Sequence, residues 1–380
     1  MSEYIVSARK YRPSRFGDMV GQDAIGNTLQ NAIKSAQLAH SFLFCGPRGV
    51  GKTTAARLLA KTINCENLTQ DAEACNQCPS CIAFNKNASF NIYELDAASN
   101  NSVDDIRMLV DQVRFPPQSA KYKIYIIDEV HMLSPAAFNA FLKTLEEPPS
   151  FCKFILATTE KHKILPTILS RCQIFDFKRM TIDGIVGHLK KIATAENIFA
   201  EEDALHIIAQ KSDGGMRDAL SMFDRLVSFG RGKLTYTSVL ENLNVLDYDY
   251  YFLITDALLT QDYSLVMNYL GQILQKGFEA DDLIIGLCEH FRNLLFAKDN
   301  ATVSMMEISE NLKFRYSEQT KLVTSSFLLS CLQFGNQCDI QYRTTKNKRL
   351  LVELTLMRMC FVNQLIDALE ASKKKVIQES

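Results

Sequence analysis

The sequence predicts an α/β domain on a mainly parallel sheet with helices on both faces, then a small helical domain and an all-α C-terminal domain. Three observations carry this. Over the first 178 residues, short apolar runs rich in β-branched and aromatic residues alternate with helix-like stretches. After about Arg179 the strand signals fade. The chain is 380 residues long, 47% hydrophobic and 22% charged, which is globular in composition and too long for one core.

The expected strands are Ser41–Cys45, Ile92–Leu95, Lys123–Asp128, Lys153–Thr158 and Gln173–Phe177. Between them, Thr53–Ile63 carries Ala56, Leu59, Ala60 and Ile63 on a helical stripe. A second helix has Ser134 as its cap, Pro135 at its first position and Phe138, Phe141, Leu142 and Leu145 as its stripe. Pro148-Pro149 ends it. Buried strands alternating with helices imply a parallel sheet covered on both faces. Thr181–Ala195, Glu201–Lys211, Met216–Phe229 and Thr235–Asn242 read as four short helices, punctuated by Gly214-Gly215. No Lys or Arg occurs between Lys233 and Lys276, whereas five acidic residues do, and this shift sets a boundary near Asn244. The expected domains are therefore 1–178, 179–243 and 244–371, with a frayed tail at 372–380.

Net charge is −1, from 42 basic and 43 acidic residues, which excludes a protein that coats nucleic acid by bulk charge. No apolar run approaches the roughly 18 residues of a membrane span, and nothing at the N-terminus resembles a secretory signal. A soluble, cytoplasmic chain with no membrane partner is expected. Eleven cysteines, an odd number, then favour metal ligands and buried thiols over a disulfide framework.

Gly46-Pro-Arg-Gly-Val-Gly-Lys-Thr53 fits G-x-x-x-x-G-K-[ST], with a strand leading in and a helix leading out. Glycines let backbone N–H groups curl around phosphate oxygens, and the helix N-terminus adds partial positive charge. Lys52 would reach the β- and γ-phosphates of ATP and the Thr53 hydroxyl would ligate Mg²⁺. A glycine turn before a helix is the alternative. Asp128-Glu129 ends a buried apolar strand, where parallel sheets bind ligands. Asp128 would hold Mg²⁺ and Glu129 would polarise the attacking water. A second strand end carries Thr158, Thr159 and Glu160, whose hydroxyls can orient water or sense a phosphate. Cys65, Cys75, Cys78 and Cys81 follow C-x₉-C-x₂-C-x₂-C. Four thiolates suit a closed, structural tetrahedral zinc site, with redox thiols as the alternative. The other seven cysteines read as buried small residues.

Together these segments resemble the AAA+ ATPases, and more closely the gamma/tau subunits of the bacterial DNA polymerase III clamp loader. The resemblance rests on ARKYRP (Ala8–Pro13), VGQ (Val20–Gln22), the glycine loop, the four-cysteine insertion (65–81), ELDAAS (Glu94–Ser99), DEVHML (Asp128–Leu133), LKTLEEPP (Leu142–Pro149), ATTE, ILSRC (Ile168–Cys172) and GGMRDALS (Gly214–Ser221). These run in order over residues 8–221, while the C-terminal third matches as a helical region of suitable length. The resemblance implies an AAA+ P-loop domain with a zinc-knuckle insertion, a helical lid and an all-α collar. It implies that Gly46, Pro47, Arg48, Gly49, Val50, Gly51, Lys52, Thr53 and Thr54 bind ATP, with Tyr11 and Val20 at the adenine. It puts Thr159 at sensor 1, Arg171 at the arginine finger that completes a neighbour's site, and Arg217 at sensor 2. Glu160 departs from the commoner Asp-Pro after the threonines.

The implied function is that of an ATP-driven motor in a pentameric ring. Its partners would be further copies of itself, the delta and delta-prime subunits, the sliding clamp and primed DNA. DNA contacts would be local and sequence-independent, with Arg107 as a candidate. Two rival readings are another AAA+ DNA motor, such as a branch-migration helicase, and a nonhydrolysing scaffold subunit. The second would be expected to have a degraded loop or acidic pair.

Overall fold

Five apolar stretches form one sheet: β1 (Ser41–Cys45), β2 (Ile92–Asp96), β3 (Lys123–Asp128), β4 (Cys152–Thr158) and β5 (Gln173–Asp176). In the computed structural model, which describes residues 5–118, 120–303, 305–306 and 308–364, the strand order is β2-β3-β4-β1-β5. Every pairing between neighbours in it is parallel. The expected strands are present with one-residue differences at their ends. The expected helical segment over 365–371 and the tail at 372–380 lie outside the described residues.

Side-chain alternation assigns the faces. Phe42, Phe44, Ile124, Ile126, Ile155 and Ala157 point to one side. Leu43, Cys45, Tyr125, Ile127, Phe154 and Leu156 point to the other. The connecting helices are α1 (Ser7–Lys10), α2 (Asp23–Lys34), α3 (Lys52–Ile63), α4 (Pro79–Asn85), α5 (Val103–Val113), α6 (Pro135–Glu146) and α7 (Pro166–Leu169). Leu29 and Ile33 of α2 and Ala55, Ala56 and Leu59 of α3 cover the first face. Ile106, Leu109 and Val113 of α5, Phe138, Phe141 and Leu145 of α6 and Ile168 of α7 cover the second. Ser134 caps α6, its hydroxyl accepting the Ala137 amide at 3.2 Å, and Pro135 occupies the first helical position. The sequence reading passed over α2, which is marked by Leu29 and Ile33 at helical spacing, and over α4.

Beyond the sheet come α8 (Ile182–Ala195), α9 (Glu202–Lys211), α10 (Met216–Phe229) and α11 (Tyr236–Leu243), close to the four expected helices. The C-terminal part is also helical: α12 (Tyr248–Leu259), α13 (Tyr263–Gln275), α14 (Ala280–Phe296), α15 (Asn300–Val303), α16 (Glu310–Gln319), α17 (Ser325–Tyr342) and α18 (Lys348–Cys360). The chain divides into two compact units, 1–200 with 208–233, and 201–207 with 234–380. No helix among the described residues is long and apolar enough to cross a membrane. All eleven cysteines are free thiols. Of the seven outside the cluster, five are buried as expected, whereas Cys172 and Cys288 are only half-buried.

The second unit has a polar knot in its core. His290 on α14 is fully buried. Its Nδ1 lies 2.9 Å from the Tyr316 hydroxyl and its Nε2 2.9 Å from Gln319 Oε1. Gln319 Nε2 donates onward to the Phe252 carbonyl at 2.9 Å and to Asp256 Oδ1 at 2.7 Å. Burial pushes the imidazole pKa down to about 3, opposed by the Gln319 bond and reinforced by Arg315. The folded state thus favours neutral His290. Its contribution is complete above the unfolded pKa of about 6.5 and is lost as pH falls from there towards the folded value. Urea unfolding between pH 7 and pH 4 should therefore show falling stability. His290→Gln, which cannot take up the proton, should show a shallower dependence, and an identical slope would remove His290 as its source.

Candidate functional site

The loop after β1 is shaped by three glycines with positive φ. A Cβ on Gly46 (φ +147°) would lie 2.5 Å from the Phe177 carbonyl oxygen, so the chain passes there only without a side chain. Gly49 has φ +78°. Gly51, at φ +100°, is the N-cap of α3. The first amides of α3 lack intrahelical partners and are available to an anion. Val50 is buried and anchors the loop in the core shared with α3. Pro47, Thr53 and Thr54 are half-buried and Arg48 is exposed.

Lys52 is 5% exposed. Its Nζ donates to the carbonyls of Gly46 (2.8 Å) and Pro47 (2.7 Å), so the loop's own backbone satisfies it. Burial holds its pKa below the ordinary lysine value, while Glu129 and Asp128 pull it upward. The Thr53 hydroxyl donates to Asp128 Oδ2 at 2.6 Å, joining the start of α3 to the end of β3. A hydroxyl and a carboxylate this close are hard oxygen donors suited to a divalent cation such as Mg²⁺.

Glu129 follows at φ +46°, ψ +44°, a left-handed conformation unusual for a side chain of its size. Its Oε2 accepts from the Thr159 hydroxyl at 3.0 Å and from the Thr159 amide at 3.3 Å. His131 completes the cluster. Its Nδ1 lies 3.4 Å from Glu129 Oε2 and 3.1 Å from Thr158 Oγ1, and its Nε2 lies 3.7 Å from Glu160 Oε1. His131 lies in the DEVHML segment, but sequence reasoning gave it no role. Its position three residues after Asp128 was the available signal.

The remaining predicted residues are more dispersed. Arg217 is the second residue of α10, its amide donating to the Gly49 carbonyl at 3.4 Å while its side chain is exposed. Arg171 is exposed beyond α7 and pairs with Glu146 Oε1 at 2.8 Å. The Tyr11 hydroxyl donates to Glu196 Oε1 at the end of α8. A Cβ on Gly184 would meet Val20 Cγ1 at 3.4 Å, which puts Val20 against the first turn of α8. Arg107 pairs with Asp104 at 3.3 Å on an exposed helix face.

Cys65, Cys75, Cys78 and Cys81 converge, their four Sγ atoms lying within 4.8 Å of one another. Cys65 follows the end of α3, Cys78 caps α4, and Asn76 between Cys75 and Cys78 takes φ +59°. Backbone amides donate to sulfur: Cys75 to Cys65 (3.3 Å), Cys78 to Cys75 (3.3 Å) and Cys81 to Cys78 (3.4 Å). The Gln77 and Cys78 amides bring the Cys75 pKa down to about 6. Four converging sulfurs with amide donors form a closed set that fits a tetrahedral metal and leaves no ligand position open.

Comparison with known proteins gives two family profiles. One, described as DNA polymerase III, delta subunit, matches residues 21–181. The other, described as DNA polymerase III clamp loader subunit, ATPase lid domain, matches residues 184–232. The chain is 42% identical to DNA polymerase III subunit tau of Bacillus subtilis, covering 93% of this chain and 62% of that one. It is 33% identical to DNA polymerase III subunit gamma of Buchnera aphidicola subsp. Baizongia pistaciae, covering 95% of this chain and 98% of that one. Among solved structures, the Thermotoga maritima RuvB Holliday junction branch migration motor aligns at a TM-score of 0.47 and 20% identity, over 65% of this chain and 79% of that one. The chain thus spans less than two thirds of the length of the Bacillus subtilis relative.

The glycine geometry gives a direct test. Gly46→Ala should destabilise the protein by about 1–3 kcal/mol, through the clash with the Phe177 carbonyl. Thermal melts read this, and an unchanged melting temperature would mean that the loop relaxes freely.

Proposed function

The chain belongs to the gamma/tau family of DNA polymerase III subunits, and from that membership we propose that it is an ATP-driven motor subunit of a clamp loader. The observation that carries the reading is the Thr53–Asp128 contact beside the buried Lys52, with Glu129 one residue further on. A nonhydrolysing scaffold needs none of these, and all are intact.

ATP phosphates sit on the amides of the Gly46–Thr53 loop, with Thr54 in the first turn of α3. Lys52 exchanges its two carbonyl partners for phosphate oxygens, which offer a full negative charge. Thr53 and Asp128 would hold Mg²⁺, which would supply positive charge against that developing on the phosphates. Glu129 accepts the proton of the attacking water. Thr159 senses the γ-phosphate. A hydroxyl drawn to phosphate gives up its bond to Glu129 and so frees that carboxylate. His131, against Glu129 and Glu160, orients the same carboxylate. Arg217 acts on the chain's own nucleotide and Tyr11 and Val20 border the adenine. Arg171 projects from the end of a short helix and stabilises the γ-phosphate of a neighbouring subunit.

In this reading, residues 1–178 form the motor domain, 179–243 the lid and 244–371 the collar that joins subunits. The cysteine cluster holds a structural zinc. The ring contains further copies of the chain with delta and delta-prime subunits. It opens the sliding clamp and loads it on primed DNA in the cytoplasm, contacting DNA through phosphates.

Glu129→Gln should bind ATP normally but hydrolyse it at least about a hundred-fold more slowly, since the amide accepts no proton. Lys52→Ala should lose tight ATP binding. Normal turnover by the first variant, or unchanged affinity in the second, would overturn these assignments.

A mixing experiment tests Arg171. Arg171→Ala should leave ATP binding by the isolated chain unchanged and slow hydrolysis only in assembled rings, by up to about 10³–10⁵, the range for arginine fingers. Mixed with Lys52→Ala chains it should regain activity, because one variant keeps the cradle and the other keeps the finger. No recovery in rings of confirmed assembly would mean that Arg171 does not act between subunits.

A further inference from the structure

Two charged side chains near the cysteine cluster are buried without serving it as ligands. Glu73, 8% exposed, lies two residues before Cys75. Its Oε1 takes three N–H donors: the Phe16 amide at 2.8 Å, the Gly17 amide at 3.4 Å and Gln30 Nε2 at 3.0 Å. Lys61, 5% exposed, is on α3. Its Nζ donates to Asn76 Oδ1 inside the cluster at 2.7 Å and to the Ser14 carbonyl at 3.4 Å. Both residues reach from the cysteine segment or its supporting helix to the same short stretch of chain, residues 14–17.

That stretch leads to the proposed nucleotide site. Phe16 and Met19 are buried in one core with Val50 of the glycine loop and Ala72 beside Glu73. Gln22 then donates its side-chain amide to the Lys178 carbonyl at 2.7 Å. Lys178 is the neighbour of Phe177, whose carbonyl abuts Gly46. A connected path of contacts, buried at Glu73, Phe16, Met19 and Gln22, therefore runs from the cysteines, through residues 14–22, to the loop.

We infer that Glu73 is a positioning residue that clasps residues 14–22 against the glycine loop, so that metal occupancy of the cysteine cluster sets nucleotide affinity. The physical reason is the shortness of the cysteine segment. Between Cys65 and Cys75 the chain has only a tight turn, in which the Thr69 amide donates to the Glu73 carbonyl at 3.0 Å and the Thr69 hydroxyl accepts the Glu73 amide at 3.1 Å. A metal across the four sulfurs fixes both ends of this segment and so fixes the Glu73 carboxylate. Without the metal, the Phe16 and Gly17 amides lose their shared acceptor, and Val20 loses its fixed place. The inference rests on the nucleotide-site reading above, but the clasp itself can be tested without nucleotide.

The experiment uses the 380-residue chain with zinc counted by elemental analysis, amide hydrogen exchange across residues 14–22, and ATP titration. Glu73→Ala should retain zinc, lose exchange protection at Phe16 and Gly17, and bind ATP about ten-fold more weakly, with kcat preserved once saturated. Glu73→Gln, which still offers an oxygen acceptor, should stay close to wild type. Stripping zinc from the wild-type chain with a chelator should reproduce the Glu73→Ala pattern and needs no substitution. If zinc-stripped wild type keeps both its amide protection and its ATP affinity, the clasp does not depend on the metal and the inference fails. Lys52→Ala serves as the control. If it leaves ATP affinity unchanged, the nucleotide-site reading fails, while the exchange data still decide the clasp.

Discussion

The parallel pairing of β1 with β4, Cys45 opposite Thr158, governs where the polar ends of the sheet can meet. In a parallel sheet every strand delivers its carboxyl end to the same edge. The glycine loop, Asp128 and Thr159 therefore emerge side by side, although they lie far apart in sequence. Reversing any one strand would send its end group to the opposite edge of the molecule. The order β2-β3-β4-β1-β5 also sets β1 between two later strands, so the loop leaving it has neighbours on both sides. Gly46 reflects that crowding: the carbonyl just after β5 leaves no room for a Cβ.

Charge explains why the loop can hold its shape and still bind an anion. A lysine buried as deeply as Lys52 needs acceptors, and the two nearest are carbonyls of its own loop. Those bonds satisfy donors but supply no negative charge. Burial accordingly lowers the lysine's pKa even with Asp128 and Glu129 in the neighbourhood. In the proposed site a phosphate would supply the missing charge at the position where the backbone already converges. Thr53 and Asp128 are similarly occupied with one another. The proposed ligands thus take over polar groups of Lys52, Thr53 and Asp128 that are already paired.

Much of this was legible in the residues. The three central strands β1, β3 and β4 follow from runs whose two faces are both apolar, the edge strands β2 and β5 from shorter apolar runs, and α6 follows from Ser134, Pro135 and the prolines after it. The glycine loop and the four cysteines were legible because their chemistry depends on local spacing. What was missed depends on contacts made at a distance. Helix α2 carries Gly26, Asn27 and Asn31 within its length, weak helix formers that obscure its stripe until the sheet is present to receive it. His131 gains meaning only when β4 brings Thr158 and Glu160 beside it. Glu73 is one acid among many in the sequence, and only folding shows that three N–H groups converge on it. Arg171 was singled out by resemblance alone, and its pairing with Glu146 joins the end of α6 to the turn after α7, 25 residues further along the chain.

Glu129 shows how these levels combine. A non-glycine residue in the left-handed region costs on the order of 1–2 kcal/mol relative to ordinary backbone, so something must hold it there. The Asp128 carboxylate accepts the Glu129 amide at 2.9 Å, and Thr159 binds the other end of the side chain through two donors. The conformation is therefore tied to the residue proposed to hold the metal and to the one proposed to sense phosphate. The two Thr159 donors occupy a carboxylate oxygen of Glu129 that the proposed reaction needs free. In the proposed mechanism, Glu129 is released for water activation once Thr159 has a better acceptor. Under that proposal hydrolysis depends on a γ-phosphate reaching the end of β4, and the strain at Glu129 is the local cost of that dependence.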